Sequence, residues 1–245
     1  MTGTSRGIGR AIVPELLAAG FEVVGVSRNA PDERLGPGYR HYRCDLGDLD
    51  AVARLFEDVI PAEVPFASRQ SVGLVNNAAI LDLEPVHRAT LASLERAYRI
   101  NAVVPAWLHG WLLRHTTAAQ KVRIVDVSSG AAVSAIPGWS AYCATKAALR
   151  MAGQVLGTEL DEIQDLAGRD VAIVSYAPGV VATDMQARIR GAELEAFPRR
   201  RRFDALHAER QLLEPAVPAK EIAALLQSHE HRGFSERRVS RDNRS

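Results

Sequence analysis

The sequence predicts an α/β fold built on a parallel β-sheet with helices on both faces. Short, nearly continuous apolar runs rich in valine recur along the chain, and segments with helical apolar spacing alternate with them. Such runs are typical of strands that are covered on both faces, as in a parallel sheet. The clearest runs are 21–26, 72–75, 122–127 and 171–176, and a more polar run at 39–44 is expected nearer an edge.

Helical segments fill the intervals between these strands. Helix 8–19 is expected to end at Gly20, because glycine readily closes a last turn, and helix 49–60 to begin after Asp48, a good N-cap residue. Two longer helices are expected at 91–115 and 141–166. The alternation predicts right-handed crossovers and a doubly wound, Rossmann-like parallel sheet in a single domain of 245 residues.

Composition and charge argue against several classes of function. Apolar residues make up 47% of the chain and charged residues 24%, as in an ordinary globular protein. The net charge of +1 gives no overall field toward nucleic acid or an anionic membrane, so we expect neither partner, although 199–202 is a run of arginines. No apolar run approaches the roughly 20 residues of a membrane span, and no signal pattern is present, so cytoplasm is expected. Cys44 and Cys143 match no metal-ligand spacing and are expected to be reduced thiols, with no metal bound.

A glycine-rich loop precedes the first helix. Gly3, Gly7 and Gly9 follow the pattern G-x-x-x-G-x-G. Glycine lets the backbone turn tightly and approach a ligand, and the free N–H groups at the start of the helix favour a pyrophosphate. The spacing differs from the usual G-x-G-x-x-G dinucleotide motif, so a simple glycine turn is the alternative.

The position of this loop raises a question about the sheet. A dinucleotide-binding loop should follow a central strand, but only Met1 precedes the loop that begins at Thr2. A sheet without that strand would leave backbone groups unpaired, which is costly. We therefore expect a further N-terminal segment of about 4–8 apolar residues, typical of a buried strand. Intact mass and N-terminal sequencing of the native protein test this expectation, and a native start at Met1 rejects it.

The end of the second expected strand indicates which dinucleotide is bound. An acidic residue roughly 20 positions beyond the loop would bind the ribose 2′-hydroxyl of NAD. Ser27 and Arg28 occupy that region, and Arg6 lies in the glycine loop. Two guanidinium groups can clamp a 2′-phosphate, so NADP is favoured, with two solvated surface arginines as the alternative.

A tyrosine, a lysine and a serine form the candidate catalytic group. Tyr142 and Lys146 lie one helical turn apart in the predicted helix 141–166, so their side chains share a face. We expect the Lys146 ammonium to lower the pKa of Tyr142 from its ordinary value of about 10 and make it an acid–base group. Ser129 follows the strand 122–127, where its hydroxyl can donate to a substrate carbonyl. An isolated Y-x-x-x-K pair is common by chance, so the prediction rests on its combination with Ser129 and the glycine loop.

Other segments are expected at the same edge of the sheet. Residues 76–78, Asn-Asn-Ala, end a strand and point toward the ligand crevice, unless they form only a turn. Asn101 could kink its helix or hold an ordered water beside Lys146, and an ordinary exposed asparagine is the alternative. Residues 178–183 follow a strand, and their backbone is suited to lie against a flat ligand such as nicotinamide.

Together these residues resemble the short-chain dehydrogenase/reductase family from Thr2 to about Arg190. The matching motifs are 2–9, Asp45, 76–78, Asn101, Ser129, Tyr142, Lys146 and Pro178-Gly179 with Thr183. In the stretches 128–131, 138–143, 176–181 and 183–187 the chain is similar to bacterial benzil reductases and the related sepiapterin reductases. This resemblance implies an enzyme that uses NADPH to reduce carbonyls, often vicinal diketones, and that forms a homodimer or homotetramer, with long helices at the interface.

The resemblance also implies a role for each site residue. Ser129 would orient the carbonyl, Tyr142 would donate the proton, and Lys146 would also hold the nicotinamide ribose. Asn101 would complete a water-linked proton relay, and Asp45 would contact adenine. The residues predicted to hold the cofactor are Gly3, Ser5, Arg6, Gly7, Ile8, Gly9, Arg28, Asp45, Leu46, Asn77, Ala78, Tyr142, Lys146, Pro178, Gly179, Val181 and Thr183.

The chain departs from the family pattern beyond the absent first strand. Ala79 stands where the family motif has glycine, and its methyl group is expected to crowd the cofactor slightly. The charged segment 188–218 is expected to be a mobile helical excursion over the active site, with a solvated surface insertion as an equal alternative. The tail 229–245 does not resemble the family's closing strand and is expected to hold at best one poor strand and to be partly disordered.

The resulting hypothesis is NADPH-dependent reduction of a carbonyl, with Trp139 and residues near Met185 contacting an apolar or aromatic substrate. One alternative keeps the site and changes the substrate, to a pteridine side-chain ketone or to an alcohol oxidised in the reverse direction. Another is a regulatory protein that binds NADP without turnover. The Ser129, Tyr142 and Lys146 set argues against this last alternative, because binding alone needs no acid.

Overall fold

The computed structural model describes residues 1–31, 35–228 and 232–240. Strands and helices alternate along these residues as predicted. The strands are β1 (Val23–Ser27), β2 (Tyr39–Arg43), β3 (Ser71–Asn76), β4 (Lys121–Val127), β5 (Val171–Ala177) and β6 (Gly233–Arg238). The α-helices are α1 (Gly7–Ala18), α2 (Leu49–Ala53), α3 (Ile60–Glu63), α4 (Leu91–Tyr98), α5 (Val104–Arg114), α6 (Ser140–Glu162), α7 (Asp184–Arg190), α8 (Arg200–Ala208) and α9 (Ala216–Gln227).

All strand pairings among these elements are parallel. The polar strand β2 pairs with β1, and β3, β4, β5 and β6 follow one another in a second group. Residues 1–3 lie between the two groups: the Thr2 N–H donates to Val75 O at 3.0 Å, and the Gly3 N–H donates to Val26 O at 2.7 Å. The predicted α/β fold with a parallel sheet in a single domain is confirmed, and β2 lies at an edge as expected.

Apolar side chains from both faces of the sheet form the core. Leu108, Leu112 and Ile124 belong to the cluster on the α5 and α6 side, whereas Ile12 and Ile222 belong to the cluster on the α1 and α9 side. All five are completely or almost completely buried. Burial of each side chain of this size contributes about 1.5–3 kcal/mol to the free energy of folding. The two apolar layers therefore hold the strands, and with them their carboxyl ends, in fixed positions.

Helix starts and ends follow the predicted signals at Asp48 and Gly20, whereas the predicted helix 91–115 is less regular than expected. Gly20 has a φ of +84° just after α1, and the Asp48 carboxylate accepts from the Ala51 N–H at 3.0 Å. The predicted helix 91–115 is α4 and α5 joined by a π-helical turn at Arg99–Val103. None of the helices in the described part of the chain is long and apolar enough to cross a membrane.

The last described strand differs from the expected tail. The tail was expected to hold at best one poor strand, and residues 233–238 form a regular strand, β6, which pairs with β5 along its whole length. The aromatic ring of Phe234 explains part of this order, because it packs into the core on the α5 and α6 side. Residues 229–231 and 241–245 of the predicted tail lie outside the described residues.

Candidate active site

Tyr142 and Lys146 project from the first turns of α6 into the protein at the carboxyl end of β4. The Lys146 Nζ lies 5.7 Å from the centroid of the Tyr142 ring. Both side chains are buried, with exposed fractions of 7% for Tyr142 and 3% for Lys146. The Lys146 ammonium donates to the carbonyl of Val127, the last residue of β4, at 2.6 Å. The two side chains therefore share one face of the helix, as their spacing predicts.

The acidity of Tyr142 differs from the sequence-based expectation. Burial raises the pKa of Tyr142 to about 12, although a hydrogen bond with the Ser129 side chain acts in the opposite direction. The expected lowering of this pKa is wrong for this arrangement, because the loss of hydration of the phenolate on burial is the largest effect. Burial also lowers the pKa of Lys146 to about 8. At pH 7 Tyr142 is therefore protonated, which is the state that a proton donor requires.

Ser129 lies at the turn that follows β4. Its hydroxyl oxygen accepts from the Ala131 N–H at 3.1 Å and caps the short helical turn Gly130–Ala132. The backbone of Ser129 is extended, so its side chain is held at the strand end beside Tyr142. The half-buried hydroxyl also forms the hydrogen bond with Tyr142, so the two hydroxyl groups lie together at the strand end.

Asn101 lies in the π-helical turn between α4 and α5 and is completely buried. Its Oδ1 accepts from the Ile80 N–H at 2.8 Å, and its Nδ2 donates to the Ile80 carbonyl at 2.8 Å and to Thr145 Oγ1 at 3.2 Å. The Asn101 side chain therefore takes the place of backbone hydrogen-bond partners for Ile80. It links the helix to the segment that follows β3. Of the two roles considered from the sequence, the irregular helix is present in the structure, and the ordered water stays a prediction.

A buried carboxylate lies beneath Lys146. Asp126 Oδ1 accepts from Asn76 Nδ2 at 2.8 Å and lies 3.0 Å from His109 Nε2. Asp126 is 1% exposed, and its Oδ2 has no hydrogen-bond partner in the structure. Its negative charge raises the pKa of Lys146 against the larger lowering by burial. Asp126 thus helps Lys146 to keep its proton.

Replacement of Asp126 by asparagine (Asp126→Asn) is expected to shift the alkaline limb of the pH–rate profile to lower pH. The pKa of Lys146 is already lowered to about 8, and removal of the carboxylate lowers it further. A neighbouring charge shifts a pKa by about 1–3 units, so we expect a shift of about one pH unit. The exposed Asp50→Asn serves as the control, and an unchanged profile in a folded Asp126 variant contradicts the role.

At three positions of the glycine loop, the backbone conformation or the lack of space favours glycine over any other residue. Gly3 and Gly7 have φ values of +74° and +55°, which side chains rarely adopt. A Cβ on Gly9 would lie 2.0 Å from the Gly3 carbonyl oxygen. The loop therefore folds closely over the first turn of α1, whose N–H groups face the space above it.

Asn77 and Ala78 hold this loop against the end of β3. Asn77 Nδ2 donates to the carbonyls of Thr2 and Gly3 at 3.1 and 3.0 Å. The Thr2 hydroxyl in turn accepts from the N–H groups of Asn77 and Ala78 at 3.2 and 3.1 Å. Asn76 points the other way, into the Asp126 cluster. Of the three predicted residues, Asn77 and Ala78 therefore hold the glycine loop, and Asn76 binds the Asp126 carboxylate near Lys146.

The segment after β5 closes the other side of the loop. Gly179 has a φ of +76°, and the Thr183 methyl group lies 3.3 Å from the position that a Cβ on Gly7 would take. Arg6 Nη1 and Asp184 Oδ2 form an exposed ion pair at 3.2 Å. Such a pair contributes at most about 1 kcal/mol, so Arg6 can exchange it for another anion at small cost.

Arg28 and Asp45 mark the far end of the crevice. Arg28 is exposed just beyond β1, and its charge contributes to a lowered pKa of Asp45. Partial burial raises the pKa of Asp45, but the hydrogen bond from the Gly47 N–H and the guanidinium groups of Arg96 and Arg28 outweigh it. Leu46 is buried behind Asp45. Asp45 is therefore an ionised acceptor at the end of β2.

An aromatic cluster covers Tyr142. Trp139 meets the Tyr142 ring edge to face with centroids 5.6 Å apart, stacks on Phe197 at 5.4 Å and contacts Phe203 at 5.7 Å. Met185 packs against the same cluster. Phe197 and Phe203 come from the segment 188–218, which is helical at α7 and α8 and returns through a hydrogen bond from the Leu213 N–H to Val180 O at 2.9 Å. Two aromatic rings of the segment therefore pack on Trp139, and its role as a mobile excursion over the active site stays a prediction.

Comparisons with known proteins bear on this arrangement. A family model described as short chain dehydrogenase matches residues 1–194. The chain belongs to the short-chain dehydrogenase family. This short-chain dehydrogenase is 34% identical over 238 residues to "Benzil reductase ((S)-benzoin forming)" of Bacillus cereus, with 94% of each chain covered. It is 32% identical over 237 residues to the protein of that name from Bacillus subtilis, covering 95% of this chain and 94% of the relative.

A solved structure supports the same family assignment. A short-chain dehydrogenase/reductase from Saccharomyces cerevisiae matches 98% of this chain and 94% of its own, with a TM-score of 0.81 at 26% identity. This short-chain dehydrogenase is therefore an oxidoreductase that uses a nicotinamide cofactor and acts on small molecules. The resemblance stated from the sequence is confirmed.

Several residues of the site were not predicted from the sequence. Asp126 and His109 were missed, although an aspartate inside the apolar run 122–127 is a usable signal, since a buried carboxylate needs partners. Phe197 and Phe203 were missed because nothing in their spacing indicates contact with Trp139. Only the packing of the segment 188–218 brings these rings to the site.

Proposed function

We propose that this short-chain dehydrogenase uses NADPH to reduce a carbonyl, preferably one of a vicinal diketone that carries aromatic groups. The observation that carries the proposal is the protonated, buried Tyr142 beside Lys146 and Ser129, under a cluster of aromatic rings. The two benzil reductase relatives support the choice of substrate class, because each covers nearly the whole chain.

The chain's own residues fit a dinucleotide. The cradle above Gly3, Gly7 and Gly9 has no room for side chains and offers the N–H groups at the start of α1 to a pyrophosphate. Asp45 and Leu46 would hold the adenine end, and Lys146 with residues 178–183 the nicotinamide end. When bound, the cofactor supplies the hydride. The full set of residues assigned to cofactor binding is that predicted from the sequence.

Each residue of the site has its own role in the transfer of the proton. Tyr142 donates its hydroxyl proton to the carbonyl oxygen, while the Ser129 hydroxyl hydrogen-bonds the same oxygen and stabilises its developing negative charge. The Lys146 ammonium, fixed on the Val127 carbonyl, stabilises the phenolate that this leaves. Asn101 holds the end of β3 and the helix in register, and it would carry the water that returns a proton.

A screen with the purified protein tests the proposal. NADPH consumption is measured with benzil, butane-2,3-dione, a pterin diketone and simple secondary alcohols run with NADP. We expect the highest kcat/KM with benzil. The highest value with the pterin identifies a pteridine ketone reductase, and oxidation of alcohols alone identifies an alcohol dehydrogenase. Cofactor binding without turnover on the whole panel contradicts the proposal and favours a regulatory protein.

Replacement of Arg28 by alanine (Arg28→Ala) is expected to weaken NADPH binding about tenfold. A hydrogen bond to a charged group contributes about 1.5–3 kcal/mol, and Arg28 is the exposed guanidinium next to the adenine end. Binding of NADH, which has no 2′-phosphate, should stay unchanged. Fluorescence titrations with both cofactors measure the effect, with Arg54→Ala as the control. Equal losses of affinity for NADPH and NADH would show that Arg28 does not bind the 2′-phosphate.

Replacement of Phe203 by alanine (Phe203→Ala) is expected to reduce kcat/KM for benzil about tenfold and for butane-2,3-dione less than twofold. An aromatic contact contributes about 0.5–1.5 kcal/mol beyond the area it buries, and only benzil offers rings to the cluster. Leu194→Ala, at an exposed position of the same segment, is the matched control. Equal losses for both diketones refute an aromatic substrate pocket.

The same proposal includes assembly into a homodimer or homotetramer. Val103 in the π-helical turn, and Met151 and Val155 on α6, are large apolar side chains exposed by 46%, 55% and 48%. Exposed apolar groups on long helices favour contact with a second copy. Sedimentation equilibrium measures the assembly, and a monomer at micromolar concentration contradicts it.

A further inference from the structure

His109 is a buried titratable residue that lies close to the catalytic group and has no role in it so far. It belongs to α5 and is 4% exposed. Its Nε2 lies 3.0 Å from Asp126 Oδ1 on β4. A helix that covers a sheet normally turns apolar side chains inward, because a buried polar group without a partner costs free energy. The histidine at this position is therefore tied to Asp126.

The hydrogen bonds around Asp126 favour its ionised form. Oδ1 accepts from Asn76 Nδ2 at 2.8 Å, and His109 Nε2 lies at hydrogen-bond distance from the same oxygen. An ionised carboxylate only accepts, so Nε2 carries the hydrogen and donates it. Two donors to the charged form reduce the cost of keeping a carboxylate ionised inside a protein. With His109 in place, Asp126 can keep its negative charge although it is only 1% exposed.

The charge of Asp126 acts on Lys146 through space. Lys146 Nζ donates to the carbonyl of Val127, the residue that follows Asp126 on β4, at 2.6 Å. Asp126 Oδ2 has no hydrogen-bond partner among the described residues, so the carboxylate is not neutralised on that side. Burial lowers the pKa of Lys146 to about 8, and the charge of Asp126 opposes this lowering. A group that fixes the charge of Asp126 therefore also affects the proton of Lys146.

His109 also borders a groove between α5 and α6 with a volume of about 520 Å³. The charged residues that line this groove in the described part of the chain are Arg114, Glu159, Asp165 and Arg169. Their charges balance, and Arg114 and Asp165 are exposed, so solvent screens them. The buried Asp126 is therefore the charged group that decides the hydrogen bonding of His109.

We propose that His109 is a positioning residue of this reductase, which donates its Nε2–H to Asp126 and keeps that carboxylate charged and in place beneath Lys146. His109 acts through Asp126 and needs no contact with substrate or cofactor. The inference rests on the proposed function, in which the protonated Lys146 stabilises the Tyr142 phenolate. The proton of Lys146 can be followed without turnover, so the role of His109 can be tested separately from the reaction.

Titration of Lys146 tests the proposal directly. The lysines of the chain are Lys121, Lys146 and Lys220, so NMR of protein labelled with [13Cε]lysine gives a few well-separated signals. Replacement of His109 by leucine (His109→Leu) removes the donor to Asp126. We expect the midpoint of the Lys146 titration to move to lower pH by at least about 0.5, because Asp126 is then less able to stay charged. Lys121 and Lys220 should titrate as in the parent.

Two further variants separate this role from a merely structural one. His109→Gln carries an amide N–H that reaches the position of Nε2, so it should keep the parent titration of Lys146. His109→Leu combined with Asp126→Asn should lower the midpoint no further than Asp126→Asn alone, because the two residues act on Lys146 as a unit. If the leucine variant does not fold, His109→Asn, whose shorter amide does not reach Asp126, takes its place. The alkaline limb of the pH–rate profile should move with the Lys146 titration.

A parent-like titration of Lys146 in folded His109→Leu or His109→Asn overturns the proposal. An equal lowering by His109→Leu on the parent and on the Asp126→Asn background also overturns it, because His109 would then act without Asp126. A protein that shows the expected changes at Lys146 but reduces no carbonyl in the substrate screen supports the role of His109 and contradicts the proposed function.

Discussion

Replacement of Tyr142 by phenylalanine (Tyr142→Phe) is expected to lower kcat for NADPH-dependent benzil reduction by ~10² or more. The change removes only the hydroxyl group, which is the proton donor of the proposed reaction. Burial raises the pKa of this hydroxyl to about 12, so the group carries its proton throughout the neutral range. The ring that contacts Trp139 is kept, so KM for benzil should change little, and the Kd for NADPH should rise far less than kcat falls.

The measurement separates chemistry from binding. Steady-state kinetics give kcat and KM, and fluorescence titration gives the Kd of NADPH for the same preparation. Tyr98→Phe is the matched control, because Tyr98 lies at the end of α4 with 40% of its surface exposed. Turnover near the parent rate in the folded Tyr142→Phe variant would show that Tyr142 is not the proton donor.

Replacement of Gly9 by alanine (Gly9→Ala) is expected to raise the Kd of NADPH at least tenfold and to destabilise the fold. The added Cβ would lie 2.0 Å from the Gly3 carbonyl oxygen and 2.4 Å from Asn77 Nδ2. No Cβ tolerates these distances, and the nearer atom is backbone, so the glycine loop must move. Overpacking of this kind costs typically about 1–3 kcal/mol, and it occurs where the pyrophosphate is expected to bind.

A second glycine provides the control. Gly110 lies inside α5, where a Cβ would meet Arg114 Nη1 at an ordinary 3.5 Å. Alanine is favoured over glycine in a helix by about 1 kcal/mol, so Gly110→Ala should be as stable as the parent or more so. Cofactor titration and thermal unfolding are measured for both variants. Parental NADPH affinity in Gly9→Ala contradicts the assignment of the loop to the cofactor.

Local patterns in the sequence were enough to predict most of the sheet and the positions of the main site residues. Runs such as 122–127 carry valine or isoleucine on both faces, and this pattern favours a strand between two layers of helices. The four-residue separation of Tyr142 and Lys146 places them on one helical face by geometry alone. These predictions needed no knowledge of distant contacts.

Predictions that depended on the surroundings of a group were less successful. The pKa of Tyr142 was expected to fall, yet burial raises it, because the loss of water around the phenolate depends on Trp139 and its neighbours. The regularity of β6 was underestimated, because its residues gain their stability from pairing with β5 and from the burial of Phe234. By contrast, the irregular helix considered for Asn101 is present, and the asparagine bonds the backbone of Ile80 there.

The sequence by itself determined a parallel α/β sheet, a glycine loop before a helix, and a tyrosine, lysine and serine near the end of one strand. Only the tertiary structure decided that Asp126 supports Lys146 and that Phe197 and Phe203 pack on Trp139 beside Tyr142. The physical reason is that backbone periodicity is a property of neighbouring residues. Hydration, charge interaction and ring contact depend instead on which distant residues share the same space.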